Sequence, residues 1–354
     1  MKININSPIG GTGYGVAGLN IIKELDKNYD VTLFPIGNPV LDSQDDYDII
    51  YNCISRQENF DYNAPYIKIW HQFDLSSKHG NGKYFAYPFF EITKLNNREI
   101  HHLNFPDEII VSSSWAKQIL ESNNINKKIN VVPLGVDRSI FNPNNFTHDS
   151  VGDKYIFITI GKWEKRKSHD IIIELFEKAF NTDDNVELWM LTHNPFLNQE
   201  QESYWTNLVL NSSMRHKIKV FPRLQSHAEV AKVISYAHCG IYISRAEGWN
   251  LDLLETLSMG KPVIATDYSA HTEFCNKNNS FLIDIDHLES ATDDMWFNGF
   301  GEWAKIDQKQ KDQIIEYMRY AFKNKITIND AGIETAKNFT WKNSADKLLR
   351  CILS

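Results

Sequence analysis

At 354 residues, with 42% hydrophobic and 23% charged side chains, the chain has the size of two ordinary domains and the composition of a soluble globular protein. Its formal net charge of −8 argues against a surface built to neutralise nucleic-acid phosphates. No stretch approaches the roughly 20 apolar residues that a bilayer span requires.

The opening residues "MKININSPIG" alternate apolar and polar and read as a first strand rather than a signal peptide. Short β-branched runs then alternate with helical patterns, the signature of βα units around parallel sheets. The first series of predicted strands is "KININ", "VTLFPI", "YDIIYN", "PYIKIW", "DEIIVSS" and "INVVPLG", with helices expected over Val16–Leu25 and Trp115–Leu120. A run rich in Asn, Asp, Pro and Gly, "GVDRSIFNPNNFTHDSVGDKY", is the best linker candidate. A second series follows: "YIFITIG", "VELWMLTH", "KIKVFP", "GIYIS", "PVIAT" and "SFLID", with a helical tail from about Asp312. The economical reading is α/β: two Rossmann-like domains, residues 1–148 and 149–339, with parallel sheets flanked by helices. The four cysteines Cys53, Cys239, Cys275 and Cys351 form no CxxC pair, so a reducing, cytoplasmic setting is expected.

Three loops carry chemistry. The first, "SPIGGTGYGVAGLNII", contains a literal GxGxxG from Gly13 to Gly18. A nicotinamide site would place the first Gly directly after the strand and an acid at the end of the second strand, but that strand ends "LFPIGN". The motif therefore reads as a flexible Gly-rich loop that lets backbone approach a ligand. The second loop, "IGKWEKRKSHD", presents Lys162, Lys165, Arg166 and Lys167 just after a strand, a plausible diphosphate clamp or else a solvated basic turn.

The third is "SRAEGWNLDLLETLSMGKPVIATD", a strand end, an acid (Glu247), a turn, a short apolar helix and a second acid (Glu255). Leu251, Leu253, Leu254 and Leu257 give the helix its apolar side, and Gly260 is placed to end it. Glu255 falls at the edge of the apolar arc, and amides around Trp249 to Leu251 are expected to face the crevice at the sheet's carboxyl edge. Carboxylates accept from sugar hydroxyls and amides donate to phosphate oxygens, so a polyhydroxylated ligand with a phosphate tail fits. The alternative is a solvated Glu on an amphipathic helix.

Glu247-Gly248-Trp249-Asn250-Leu251…Leu254-Glu255, followed by "LSMGKPVIAT", resembles the paired-glutamate motif of the family-four retaining glycosyltransferases (group 1). That family has two Rossmann-like domains facing across a cleft, the GT-B architecture. "GKWEKRKSHD" looks like its diphosphate loop, and "FTWKNSADKLL" resembles a terminal helix, about 340–354, that completes the first domain. The sequence departs from the family in having Asn250 at a common Gly, Asp252 at a common Pro and Ser168 at a common Gly.

The resemblance implies metal-independent, retaining transfer of a sugar from a nucleotide-diphosphate donor to an acceptor hydroxyl, with no cofactor. Glu247 would contact donor-sugar hydroxyls, Gly248, Trp249, Asn250 and Leu251 would offer backbone, Glu255 would hold the ribose, and Lys162 with Lys167 the diphosphate. Gly11 and Gly13 would approach from the other domain, and His71 would stand near the transferred sugar; Glu247, His71 and Lys167 are the catalytic candidates. The residues leave open a UDP-, GDP- or ADP-sugar donor, a glycan, small-molecule or modified-base acceptor, and the oligomeric state. Two competing classes are a non-catalytic carbohydrate-binding scaffold and, with less in its favour, a nicotinamide-dependent oxidoreductase. Asp46-Tyr47-Asp48, an Asp-x-Asp match, reads as a solvated turn rather than a metal motif.

Overall fold

A computed structural model describes residues 1–146, 152–293 and 295–354. The chain divides into one unit of Met1–Gly135 with Phe339–Ser354 and a second of Val136–Asn338. The boundary expected at 148 falls outside the described residues, and the division itself comes earlier. At Gly135 the backbone lies so close to Thr340 and Trp341 that a Cβ would come within 2.2 Å of the Trp341 nitrogen. By Phe141 the chain is already part of the second unit: the Phe141 carbonyl accepts from Ser258 Oγ at 2.6 Å.

The first unit is built on a parallel sheet of β1 (Lys2–Ser7), β2 (Asp30–Pro35), β3 (Tyr66–Lys68), β4 (Tyr84–Ala86), β5 (Glu108–Val111) and β6 (Lys128–Val131), in the order β2-β1-β3-β4-β5-β6. The helix Gly13–Asp26 leads from β1 to β2, and the order reverses between β1 and β3. A reversal of this kind opens a crevice at the carboxyl ends of the two strands.

One expected strand is a helix. "YDIIYN" lies inside the helix Gln44–Ser55, whose N-cap Ser43 accepts from the Asp46 amide. Its apolar residues follow the helical period: Ile50 and Cys53 are buried, while Tyr47 and Tyr51 are exposed. The sixth strand is instead the three-residue β4, from a segment with no strand expected. The helix Trp341–Leu353 belongs to this unit and buries Trp341, Ala345, Leu348 and Ile352.

The second unit has β7 (Tyr155–Ile160), β8 (Val186–Leu191), β9 (Ile218–Val220), β10 (Cys239–Tyr242), β11 (Val263–Thr266) and β12 (Phe281–Ile283). Their order, β12-β11-β10-β7-β8-β9, is that of a Rossmann sheet with its reversal between β7 and β10. Phe157, Ile172, Phe176, Leu188 and Ile241 form part of a shared apolar core. An antiparallel hairpin, β13 (Leu288–Thr292) and β14 (Asn298–Ala304), follows β12 and was not expected from the pattern. Among the described residues no helix is long and apolar enough to cross a membrane.

Candidate functional site

The switch point of the second unit brings two sequence loops together, because β7 and β10 are neighbours although about 80 residues apart. After β7, Gly161 has φ +129°, and a Cβ there would lie 2.7 Å from Lys167 Cδ. Glycine is thus needed for the Lys167 stem to fold back over the strand end. Two tight turns, Lys167 N to Glu164 O at 3.2 Å and Ser168 N to Lys165 O at 2.9 Å, complete the loop. Ser168 takes a left-handed conformation, φ 60°, before the helix His169–Ala179 begins.

Glu247, in the loop after β10, is 4% exposed, and four side chains hold it. Lys167 Nζ and Ser244 Oγ each lie 2.8 Å from its Oε1, and Arg166 Nη1 lies 2.8 Å from its Oε2. Ser269 Oγ accepts from its amide at 2.9 Å. Arg166 also reaches Ala246 O at 2.7 Å and Glu164 Oε2 at 2.7 Å, so the guanidinium is a hub between the two loops. Burial would raise the Glu247 carboxyl, but Arg166, Lys167 and His271 outweigh it and hold the group well below the usual carboxylate range. Burial lowers Lys167, and Glu247 more than restores it. Both remain charged near neutrality.

Asn250 adopts φ 81°, a backbone region that glycine enters freely and asparagine tolerates, which is how the turn survives without Gly. Its Oδ1 caps the helix Leu251–Ser258 by accepting from the Leu253 amide at 3.2 Å. Its Nδ2 lies 2.9 Å from His271 Nε2, and His271 Nδ1 lies 3.1 Å from the Thr266 carbonyl. A carbonyl only accepts, so the His271 proton sits on Nδ1, and Nε2 accepts from Asn250. Burial pushes His271 down to about 4, against the pull of Glu247, which keeps it neutral.

The remaining expected residues of this unit gather at the same sheet edge. Trp249 is buried with its ring 4.9 Å from that of Phe274. Gly248 is buried and Leu251 partly so; the amides of Asn250 and Leu251 have no hydrogen-bond partner among the described residues. Glu255 is 8% exposed on the first helix turn but one, and burial, with Asp252 and Asp137 adding to it, raises its carboxyl well above the ordinary value. Asp252 stands 4.0 Å from Lys167 Nζ, so the ammonium lies between two acids. Lys162 is more open: its Nζ pairs with Glu164 at 2.9 Å and lies 5.2 Å from the centre of the exposed Phe196 ring. Lys165 is exposed. Gly260, with φ +68°, follows the helix end as the pattern predicts.

In the first unit the Gly-rich stretch is not a flexible loop. A helix starts at Gly13, leaving only Gly10 to Thr12 as bends before it. A Cβ on Gly15 would meet the Gly10 nitrogen at 2.5 Å, and one on Gly18 would meet Ser7 Oγ at 2.1 Å. These two glycines serve helix packing, whereas Gly13 has open space around its Cα and Gly11 is exposed. His71 lies three residues beyond β3, partly buried, with its ring stacked on Phe73 at 4.9 Å and edge-on to Tyr14 at 4.7 Å. Asp46 is engaged with Lys23 in an ion pair at 2.5 Å.

The sequence offers Lys162, Lys165, Arg166 and Lys167 as a diphosphate clamp but does not disclose that Arg166 pairs with Glu247, nor the parts of Glu164, Ser244, Ser269 and His271. Only the alternation Glu164-Lys165-Arg166 hinted at a local pair. Among the described residues no three His, Cys, Asp or Glu side chains converge as a metal site.

Residues 141–295, within the second unit, match the family model described as glycosyl transferases group 1. Over that span the chain is similar to the group 1 glycosyl transferases. The GtfA subunit of a UDP-N-acetylglucosamine–peptide N-acetylglucosaminyltransferase from Streptococcus pneumoniae is 26% identical over 223 residues, 60% of this chain and 40% of that protein. An uncharacterized glycosyltransferase of Methanocaldococcus jannaschii is 25% identical over 171 residues, 46% of this chain and 40% of its own length. The chain thus spans well under half of each curated relative. Among solved structures, the sucrose-phosphate synthase of Thermosynechococcus elongatus superposes with a TM-score of 0.73 at 12% identity, covering 99% of this chain and 98% of that one. Anabaena HepE, solved with UDP-glucose, gives 0.72 at 13% identity, covering 100% and 99%. At such identities the likeness speaks for the fold alone, which is that of the GT-B structures.

Proposed function

We propose that the protein transfers a sugar from a nucleotide-diphosphate sugar to an acceptor hydroxyl, with retention at the anomeric carbon and without a divalent metal. The observation that carries this reading is the buried Arg166–Glu247–Lys167 cluster at the β7/β10 switch point of a group 1 domain. Scaffold proteins have no need to keep two cations and an acid desolvated beside an open sheet edge, since such pairs are costly to bury.

In this reading Glu247 accepts from donor-sugar hydroxyls, and Glu255 accepts from the ribose. Lys162 and Lys167, with the Asn250 and Leu251 amides at a helix start, face the diphosphate, and Gly248 and Trp249 shape the turn. As the glycosidic bond breaks, negative charge builds on the leaving diphosphate, and these fixed donors stabilise it without reorganising. Lys167 is shared with Glu247 beforehand, so it is oriented when the donor arrives. The acceptor attacks the oxocarbenium-like centre from the face the diphosphate leaves, and a departing phosphate oxygen takes its proton. His71 is assigned to the transferred sugar and Gly11 and Gly13 to backbone approach. The UDP bound by HepE makes a UDP-sugar the first donor to try.

Thermal-shift and calorimetric screening of UDP-, GDP- and ADP-sugars tests the donor reading: one should stabilise the wild type and lose most of that effect in Glu255→Ala. Tight dinucleotide binding with no nucleotide-sugar binding would favour the oxidoreductase.

A further inference from the structure

We infer that Tyr14 is a positioning residue that orients His71, and that the close packing at Gly15 and Gly18 seats the helix start that carries its ring. This rests on the reading of His71 as a sugar-contacting residue. Tyr14 is the second residue of the helix after β1, and His71 follows β3, the strand beside β1 at the switch point of the first unit. The Tyr14 hydroxyl donates to Phe89 O at 2.8 Å and accepts from Phe89 N at 2.9 Å. Both bonds go to one residue's backbone, so the hydroxyl fixes where the ring end lies. Burial, opposed by the Phe89 bond and aided by Glu91, pushes the phenol well above its ordinary value, so the donor proton is retained at any working pH.

Anchored at that end, the ring meets His71 edge-on at 4.7 Å and 61°, Trp70 at 5.5 Å and Phe89 at 4.8 Å. Edge-to-face contacts at these separations are attractive and orientation-dependent. Phe73 stacks on His71 at 4.9 Å and 10°. The backbone beneath is tied down separately: the Asp74 amide donates to His71 O at 3.0 Å, and Trp70 Nε1 donates to Asp74 Oδ2 at 3.1 Å. The neighbouring rings constrain the imidazole plane, and among them Tyr14 is the one held from outside the loop. Gly15 and Gly18 permit the close packing, described above, that brings the helix start and its second residue to this place.

The test uses the full chain, a nucleotide-sugar donor and the variants Tyr14→Ala, Tyr14→Phe, His71→Ala and Tyr14→Ala with His71→Ala. Tyr14→Ala should lower kcat by about tenfold, the scale of a small misplacement, with donor KM nearly unchanged. The same change in the His71→Ala background should add nothing, because the two act as one unit. Losses that multiply, or a wild-type kcat in Tyr14→Ala while His71→Ala is impaired, overturn the inference. Independently of turnover, the His71 ring-proton NMR shifts should move in Tyr14→Ala; unmoved shifts overturn it. If His71→Ala turns over normally, the sugar-contact reading of His71 fails, and the shift measurement still decides the Tyr14 contact. Should Tyr14→Ala fail to fold, Tyr14→Phe, which removes only the anchoring bonds, must show the same two signatures in smaller degree.

Discussion

Lys167 Nζ lies 2.8 Å from Glu247 Oε1, and neither side chain is more than a tenth exposed. A pair desolvated to that degree does not act as two independent groups. Glu247→Ala leaves Arg166 and Lys167 buried without their carboxylate, which costs on the order of 3–5 kcal/mol of stability. Glu247→Gln keeps the shape and an acceptor oxygen. It should stay folded yet lower turnover by roughly 10²-fold, if the sugar contact strengthens in the transition state. Thermal melts beside steady-state kinetics separate the two effects, and near-wild-type turnover in the Gln variant would remove Glu247 from the chemistry.

Glu255 predicts a different signature. Its carboxyl is raised by burial, with Asp252 and Asp137 nearby, and among the described residues it has no cation partner. Glu255→Ala should relieve that crowding and leave the fold intact, while weakening binding of the free nucleoside diphosphate. Calorimetry showing unchanged affinity would sink the ribose assignment.

How far the residues alone disclose this arrangement depends on range. The βα alternation of the second unit, the paired glutamates and the Gly260 stop are local patterns, and all were legible. "YDIIYN" misled because so short a partly apolar run does not separate a strand from a helix; Ser43 and the Ile50–Cys53 spacing decide it. β4, only three residues long, offers too little periodicity to find. The GxGxxG match concealed two packing glycines. His271 and the Glu247 loop as the partner of Arg166 were not legible, because those partners lie 21 and 80 residues away and only the strand order brings the loops together.

Stability should fall on the acid side through His271. The folded imidazole titrates near 4 against an ordinary value of 6.5, so the unfolded chain binds more protons between those values. The contribution is full above about pH 6.5 and is lost as pH falls toward 4, on the order of 3 kcal/mol in all. His169, pushed down to about 3 by burial, adds a loss of the same sign. Denaturant melts from pH 7 to 4 should show a shallower decline in His271→Asn than in the wild type. Equal slopes would contradict the neutral, buried imidazole.

Chelation should leave activity intact. The charge on the leaving diphosphate is assigned to Lys162, Lys167 and the helix start, and Lys167→Ala should cost several kcal/mol of transition-state stabilisation, on the scale of a lost oxyanion contact. Loss of turnover in EDTA with rescue by Mg²⁺ or Mn²⁺ would mean that these cations are misassigned.

The central claim, sugar transfer from a nucleotide donor with retention, is tested most directly by following the reaction by NMR as it proceeds. With a bound donor from the nucleotide-sugar panel and a generous acceptor mixture, nucleoside diphosphate should appear together with a first-formed glycoside of the donor's own anomeric configuration. Without acceptor, slow hydrolysis should remain, and Glu247→Gln should suppress both. A first-formed product of inverted configuration, or no consumption of any nucleotide sugar with or without acceptor, would contradict the account.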